Sequence, residues 1–165
     1  MTPLPLLLER VILRDLAAVT REVEAYPDDA SLWAMPPGVP NAAGTLALHL
    51  AGNLQHYLGH YLGGSGYVRD RPAEFSRRGV SKAEVLAELG KAEAAVRAGL
   101  RADKALAVTE PFAAPFRTST LLTEDALTHL TSHLAYHLGQ IDYHRRVVTG
   151  QTHGIGAVDA DLLAR

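Results

Sequence analysis

The stretch HLTSHLAYHLGQIDYHRR, residues 129–146, places histidines at His129, His133, His137 and His144. A helix turns by about 100° per residue, so His133, His137 and His144 fall within roughly 40° of one another, with His129 about 40° outside that stripe. Neutral imidazole suits zinc, nickel, iron and copper alike, and two histidines at i and i+4 are a common way for one helix to offer two nitrogens to one ion. His133 and His137 have that spacing. The chemistry open to such a pair is metal binding and, where a coordination position stays free, metal-assisted catalysis.

On a helical wheel the row lies beside an apolar arc of Leu127, Leu130, Leu134, Leu138, Ile141 and Val148, and opposite Glu124, Asp142 and Arg146. It is therefore expected to be buried, where an imidazole needs partners for its polar nitrogens. Two nitrogens do not complete a site. Another helix must bring a third, and LALHLAGNLQHYLGHYLG, residues 46–63, offers His49, His56 and His60 in a polar stripe with Asn53. Spacing does not choose among them. It requires only that His49 and His60, about 16 Å apart at 1.5 Å per residue, do not both serve one ion.

Four segments have the apolar periodicity of helices: Leu6 to Tyr26, Ala43 to Gly63, Ser81 to about Ala102, and Thr123 to Gly150. Ser81 and Glu84 form a capping-box signature, Thr123 is the expected cap of the last helix, and no segment of ordinary length reads as a strand. The fold expected is all-α, a four-helix bundle, as a single domain over residues 1–165. Its connections are long: 27–41 with four prolines, 65–80 with mixed charge, and TEPFAAPFRTST, residues 109–120. Loops above about 12 residues are uncommon in compact domains and often functional, so these are candidate pocket walls. Trp33, in the first, reads equally as a plug over the bundle end or as part of such a wall.

Composition narrows the function. Lys and Arg number 16 against 18 Asp and Glu, so nothing electrostatic favours a nucleic-acid partner. The chain has no cysteine, which excludes disulfides, thiolate ligands and a protein-borne thiol nucleophile; sulfur chemistry would need a thiol brought in as substrate. Glu9 and Arg10 interrupt the apolar N-terminal run, and no stretch approaches the roughly 20 residues of a membrane span. No membrane role is expected, and the expected location is the cytoplasm.

HLAGNLQHYLG, together with HLTSHLAYHLGQIDYHRR and its H-x3-H-x-GQ core, resembles the DinB-like (DinB/YfiT) superfamily of metal-dependent four-helix bundles. With RDRPAEFSRRG, which looks like a segment of one branch of that superfamily, the resemblance extends over nearly the whole chain. It implies one divalent ion, zinc, nickel or iron, held by His49, His133 and His137. The superfamily often has Arg after the last ligand histidine, in HRGQ, where this chain has Leu138 in HLGQ. The departure removes an anion-binding cation. Some members are thiol-dependent S-transferases or isomerases, and the resemblance implies that reaction class first, with a small-molecule substrate and a low-molecular-weight thiol.

Three imidazoles leave coordination positions free, the ligand count of a catalytic site. Asn53, Tyr57, Tyr136 and Gln140 stand one turn from the expected ligands, where they would orient imidazoles or contact substrate, although Tyr57 also suits a simple core position. His129 and His144 are expected behind the ligands, at the boundary or on the surface, and His56, His60 and His153 in solvent. No HExxH-type carboxylate is visible, so a protein base would have to come from a loop. Metal-dependent hydrolysis is the second reading. A non-catalytic metal-binding or structural helical dimer, in which the histidine stripe sets bundle register, is the third. A homodimer is the expected assembly.

Overall fold

The computed structural model describes residues 2–116 and 118–163; Met1, Arg117, Ala164 and Arg165 lie outside the described residues, although the expected domain, 1–165, and the third connection include them. Helix α1 spans Leu4–Glu24 behind Pro3, with Pro5 in its first turn, where the missing N–H costs no hydrogen bond. The next connection holds a single helical turn, α2 (Asp29–Leu32), begun by Asp28 accepting from the Ser31 amide at 2.7 Å. Helix α3 (Ala43–Leu54) is buried at every position. It continues into Gln55–Leu62 as a π-helix, where one unbroken α-helix to Gly63 was expected.

Helix α4 (Arg71–Ser76) interrupts the second connection, capped by Asp70 accepting from the Ala73 amide at 3.0 Å. Helix α5 (Lys82–Leu100) opens on the expected capping box: the Ser81 amide donates to Glu84 Oε2 at 3.0 Å, and Ser81 Oγ accepts from the Glu84 amide at 3.2 Å. A turn, α6 (Asp103–Leu106), and a loop with two isolated β-bridges lead to α7 (Thr123–Thr149), which ends at Gly150 with φ 72°. Thr123 is not the cap. Leu122 holds that position, and the Thr123 hydroxyl donates instead to the Glu110 carbonyl at 3.0 Å, tying the loop to the helix start. Among the described residues no strand forms, in keeping with the all-α expectation.

The four long helices form a bundle in which α1 packs along α5 and α7, and α3 packs along the same two, so α1 and α3 face each other across the diagonal. Long connections allow this order, because a chain leaving α1 must cross the bundle end to reach α3. The core between them is aliphatic, with Ile12, Val19, Leu50, Leu89, Leu130 and Leu134 almost fully buried. Trp33 is a plug: its indole N–H donates to the Val80 carbonyl at 2.8 Å, and its ring fills the space beside Gly44.

Charge is buried where it is paired. Arg145 of α7 and Glu22 of α1 are both fully buried and bonded to each other; the arginine also donates to Gln151 Oε1 at 2.9 Å and the His153 carbonyl at 3.2 Å. Removing one partner of such a pair strands the other charge, at a cost of about 3–5 kcal/mol. Among the described residues no helix is long and apolar enough to cross a membrane.

Candidate metal centre

His133 and His137 project from one face of α7, and His49 comes from the second turn of α3, against which α7 packs. The Nε2 atom of His133 lies 3.3 Å from His49 Nε2 and 3.1 Å from His137 Nε2. One nitrogen from each of the three rings falls within 4.8 Å of the others. Nitrogens held about 2.0–2.1 Å from one tetrahedral ion stand about 3.3 Å apart, so the two spacings to His133 match those of ligands on one divalent transition ion.

Proton placement supports the same fit. His49 Nδ1 donates to Glu74 Oε2 at 2.9 Å, and His137 Nδ1 donates to Gln140 Oε1 at 2.7 Å. A neutral imidazole carries one proton, so both rings turn bare Nε2 lone pairs toward His133. His133 Nδ1 is buried with no partner among the described residues, leaving the other two imidazoles as that ring's hydrogen-bonding neighbours there. At most one proton can then sit among three converging Nε2 atoms, whereas a cation satisfies all three.

Electrostatics favour the neutral forms. Burial, followed by the nearby His137 and His49, pushes His133 down to about 3. Burial also lowers His137, against the opposing hydrogen bond to Gln140. Neutral imidazole is the metal-binding form.

Behind His49 stands a carboxylate that sequence reasoning missed. Glu74 of α4 is 6% exposed and clamped by Arg69, whose Nε donates to Oε1 at 2.6 Å and Nη2 to Oε2 at 2.8 Å. Burial raises the Glu74 pKa, but the hydrogen bonds from His49 and Arg69 outweigh it and hold the carboxyl below the usual range. Gly52, one turn after His49, makes the room: a Cβ there would collide with the Glu74 carboxylate. The available signals were Asp70 and Pro72 opening a short helix within RDRPAEF, and a glycine on a helix otherwise closely packed.

A cavity of about 980 Å³ opens beside the histidines. His49, His133, His129, Asn53 and Tyr57 line it, with Arg69 and Arg71 from the second connection and Pro115, Phe116, Ser119 and Leu121 from the third. Tyr57 stacks on Phe116 with ring centroids 4.3 Å apart. Asn53 is buried, and its Oδ1 has no partner among the described residues. Gln140 orients His137, while Tyr136 is exposed and lies edge-to-face with that ring, at 5.2 Å between centroids. The first connection does not line this cavity; Gly38, Val39, Pro40 and Asn41 instead line a separate one of about 250 Å³ beside His144.

The histidine row of α7 divides. His129 is exposed at the cavity rim, edge-on to Phe116 and stacked 6.0 Å from His133. His144 is a core residue on the bundle's other contact: its Nε2 donates to the Ala34 carbonyl at 2.9 Å, and its Nδ1 accepts from the buried Tyr26 hydroxyl at 2.7 Å. His153 is exposed. His56 and His60 are not solvated as expected. The π-helix half-buries both, with each Nδ1 buried and unpartnered among the described residues, and stacks their rings 6.2 Å apart.

No curated protein and no solved structure matches the chain. Residues 12–141, running from within α1 to within α7 and taking in all three converging histidines, match the DinB superfamily, and the chain belongs to that superfamily.

Proposed function

We propose that His49, His133 and His137 hold one divalent ion, zinc, nickel or iron, and that the protein is a metal-dependent enzyme joining a low-molecular-weight thiol to a small electrophile, or isomerising one through such an adduct. The observation that carries the reading is the convergence of three Nε2 atoms, two with their lone pairs committed inward, at the wall of an open cavity. A divalent ion bound there supplies Lewis acidity and lowers the pKa of a thiol or water that reaches it.

The chain's own residues orient the imidazoles and shape the space for substrate. Glu74 and Gln140 fix two of the rings by accepting their Nδ1 protons, and Tyr57 and Phe116 give the cavity an apolar wall that keeps water from one side of a bound substrate. Among the described residues, no carboxylate lines the cavity; Glu74 sits in a separate cleft and is held by Arg69. That favours a thiol over water as nucleophile. A thiol, with a pKa of about 8.5, starts closer to neutrality than water at 15.7 and needs the smaller shift to ionise. Metal-dependent hydrolysis is accordingly second.

A cytoplasmic location suits a reduced thiol as cosubstrate. A homodimer is part of the proposal too, with Tyr136, Tyr143 and Val147, exposed on one face of α7, as its contact; sedimentation of wild type against Tyr143→Glu tests it.

The functional test is a panel of low-molecular-weight thiols against a generic electrophile such as a chloronitrobenzene. Conjugation should vanish with chelator, return with the native metal, and show an apparent pKa well below the free thiol's roughly 8.5. Equal slow rates for wild type and His49→Ala with every thiol would remove the transferase reading and leave hydrolysis or a non-catalytic role.

A further inference from the structure

The cavity beside the histidines is electrically one-sided. Its only charged lining residues among those described are Arg69 and Arg71. Arg69 is already neutralised, since two of its nitrogens are bonded to Glu74. Among the described residues Arg71 has no carboxylate partner; its guanidinium lies 4.9 Å above the Phe75 ring, and Phe75 in turn packs 4.8 Å from His49. A guanidinium set over a ring face spends none of its N–H donors on a hydrogen bond there, and its N–H fork matches a carboxylate in a bidentate arrangement. Arg71 is thus held one aromatic ring away from His49 with its donors unspent.

Two further features shape what would fill the space. Tyr57 and Phe116, parallel within 9°, give a flat apolar wall continued by Pro115 and Leu121. Asn53, more than nine-tenths buried on the cavity lining, has an Oδ1 with no partner among the described residues, an unmet acceptor beside that space.

We infer that this cavity binds a small monocarboxylate, its carboxyl group on Arg71 and its apolar body against Tyr57 and Phe116, and that the electrophilic substrate of the enzyme belongs to this class. A phosphate dianion fits less well, because the second arginine is occupied by Glu74. The inference deepens the transferase reading and rests on it for the claim that the bound acid is the substrate; the binding itself does not depend on catalysis.

The test is calorimetric titration of phenylacetate, phenylacetamide and phenyl phosphate into chelator-treated and zinc-loaded protein, wild type and Arg71→Gln. Because Arg71 is exposed at the cavity mouth, the variant should fold, and its melting curve checks this. Phenylacetate should bind both forms of wild type and bind Arg71→Gln at least about tenfold more weakly, while phenylacetamide binds both proteins alike. Arg71→Lys, which keeps the charge but loses the fork, should fall between them.

Equal binding of phenylacetate by wild type and Arg71→Gln overturns the inference, as does phenyl phosphate binding tenfold more tightly than phenylacetate. Phenylacetate binding that appears only with zinc and ignores Arg71 also overturns it, and leaves the metal centre standing. An Arg71-dependent site in a protein that conjugates no thiol supports the carboxylate site and removes the transferase reading instead.

Discussion

His49 Nδ1 lies 2.9 Å from Glu74 Oε2, and the space that carboxylate occupies exists because residue 52 has no side chain. The pair fixes which nitrogen of His49 is bare, and Arg69 fixes the carboxylate in turn. Gly52→Ala, which displaces Glu74, and Glu74→Gln, which removes its charge, should each lower zinc affinity by roughly 10–100-fold, the usual effect of losing a partner behind a metal ligand. Competition with a chromophoric chelator measures it. Unchanged affinity in both variants would show that Glu74 only braces the loop.

His144 belongs to the same sequence stripe but to a different structure. Its two nitrogens satisfy the Ala34 carbonyl and the Tyr26 hydroxyl, about two turns further along α7 than His137. His144→Ala should leave metal stoichiometry intact and cost about 1–3 kcal/mol in denaturant unfolding, the penalty for stranding buried polar groups. Loss of bound metal with no loss of stability would reverse the assignment.

Acid should destabilise the metal-free protein from near neutrality. Burial lowers His133 to about 3 and lowers His137 and His144 as well, whereas in the unfolded chain imidazoles titrate near 6.5. Folded values below unfolded ones mean that the unfolded chain takes up more protons once the pH drops under about 6.5. Stability is therefore fully present above that value and is lost as pH falls toward the folded values, by at most about 1.4 kcal/mol per pH unit for each imidazole. Urea midpoints of the chelated protein from pH 7.5 to 5 check this. A midpoint that stays level across that range would contradict the burial of these rings in the absence of metal.

The three rings were legible because α7 is one regular helix: the wheel that put His133 beside His137 holds along its length. The wheel misled on the second helix. Past Leu54 the chain is a π-helix, wider than 3.6 residues per turn, so His56 and His60 leave the line that an α-helix would have given them with His49. Only the family motif selected His49.

Glu74 was missed for another reason. RDRPAEFSRRG reads as a solvated, mixed-charge loop, and nothing local reveals that one of its carboxylates is buried 25 residues from its histidine. Thr123 has the right chemistry for a helix cap, and a tertiary contact to Glu110 outcompeted that local role. Periodicity and caps report local preference; pairings across the fold do not leave a periodic trace.

The central claim is that His49, His133 and His137 hold a divalent ion, and elemental analysis of the purified, dialysed protein tests it most directly, wild type beside His133→Ala. The expected result is about one divalent ion per wild-type chain, the complement of a single three-imidazole site, and none in His133→Ala. Full occupancy in His133→Ala, or a wild-type protein that stays metal-free after zinc, nickel and iron are each offered, would contradict it.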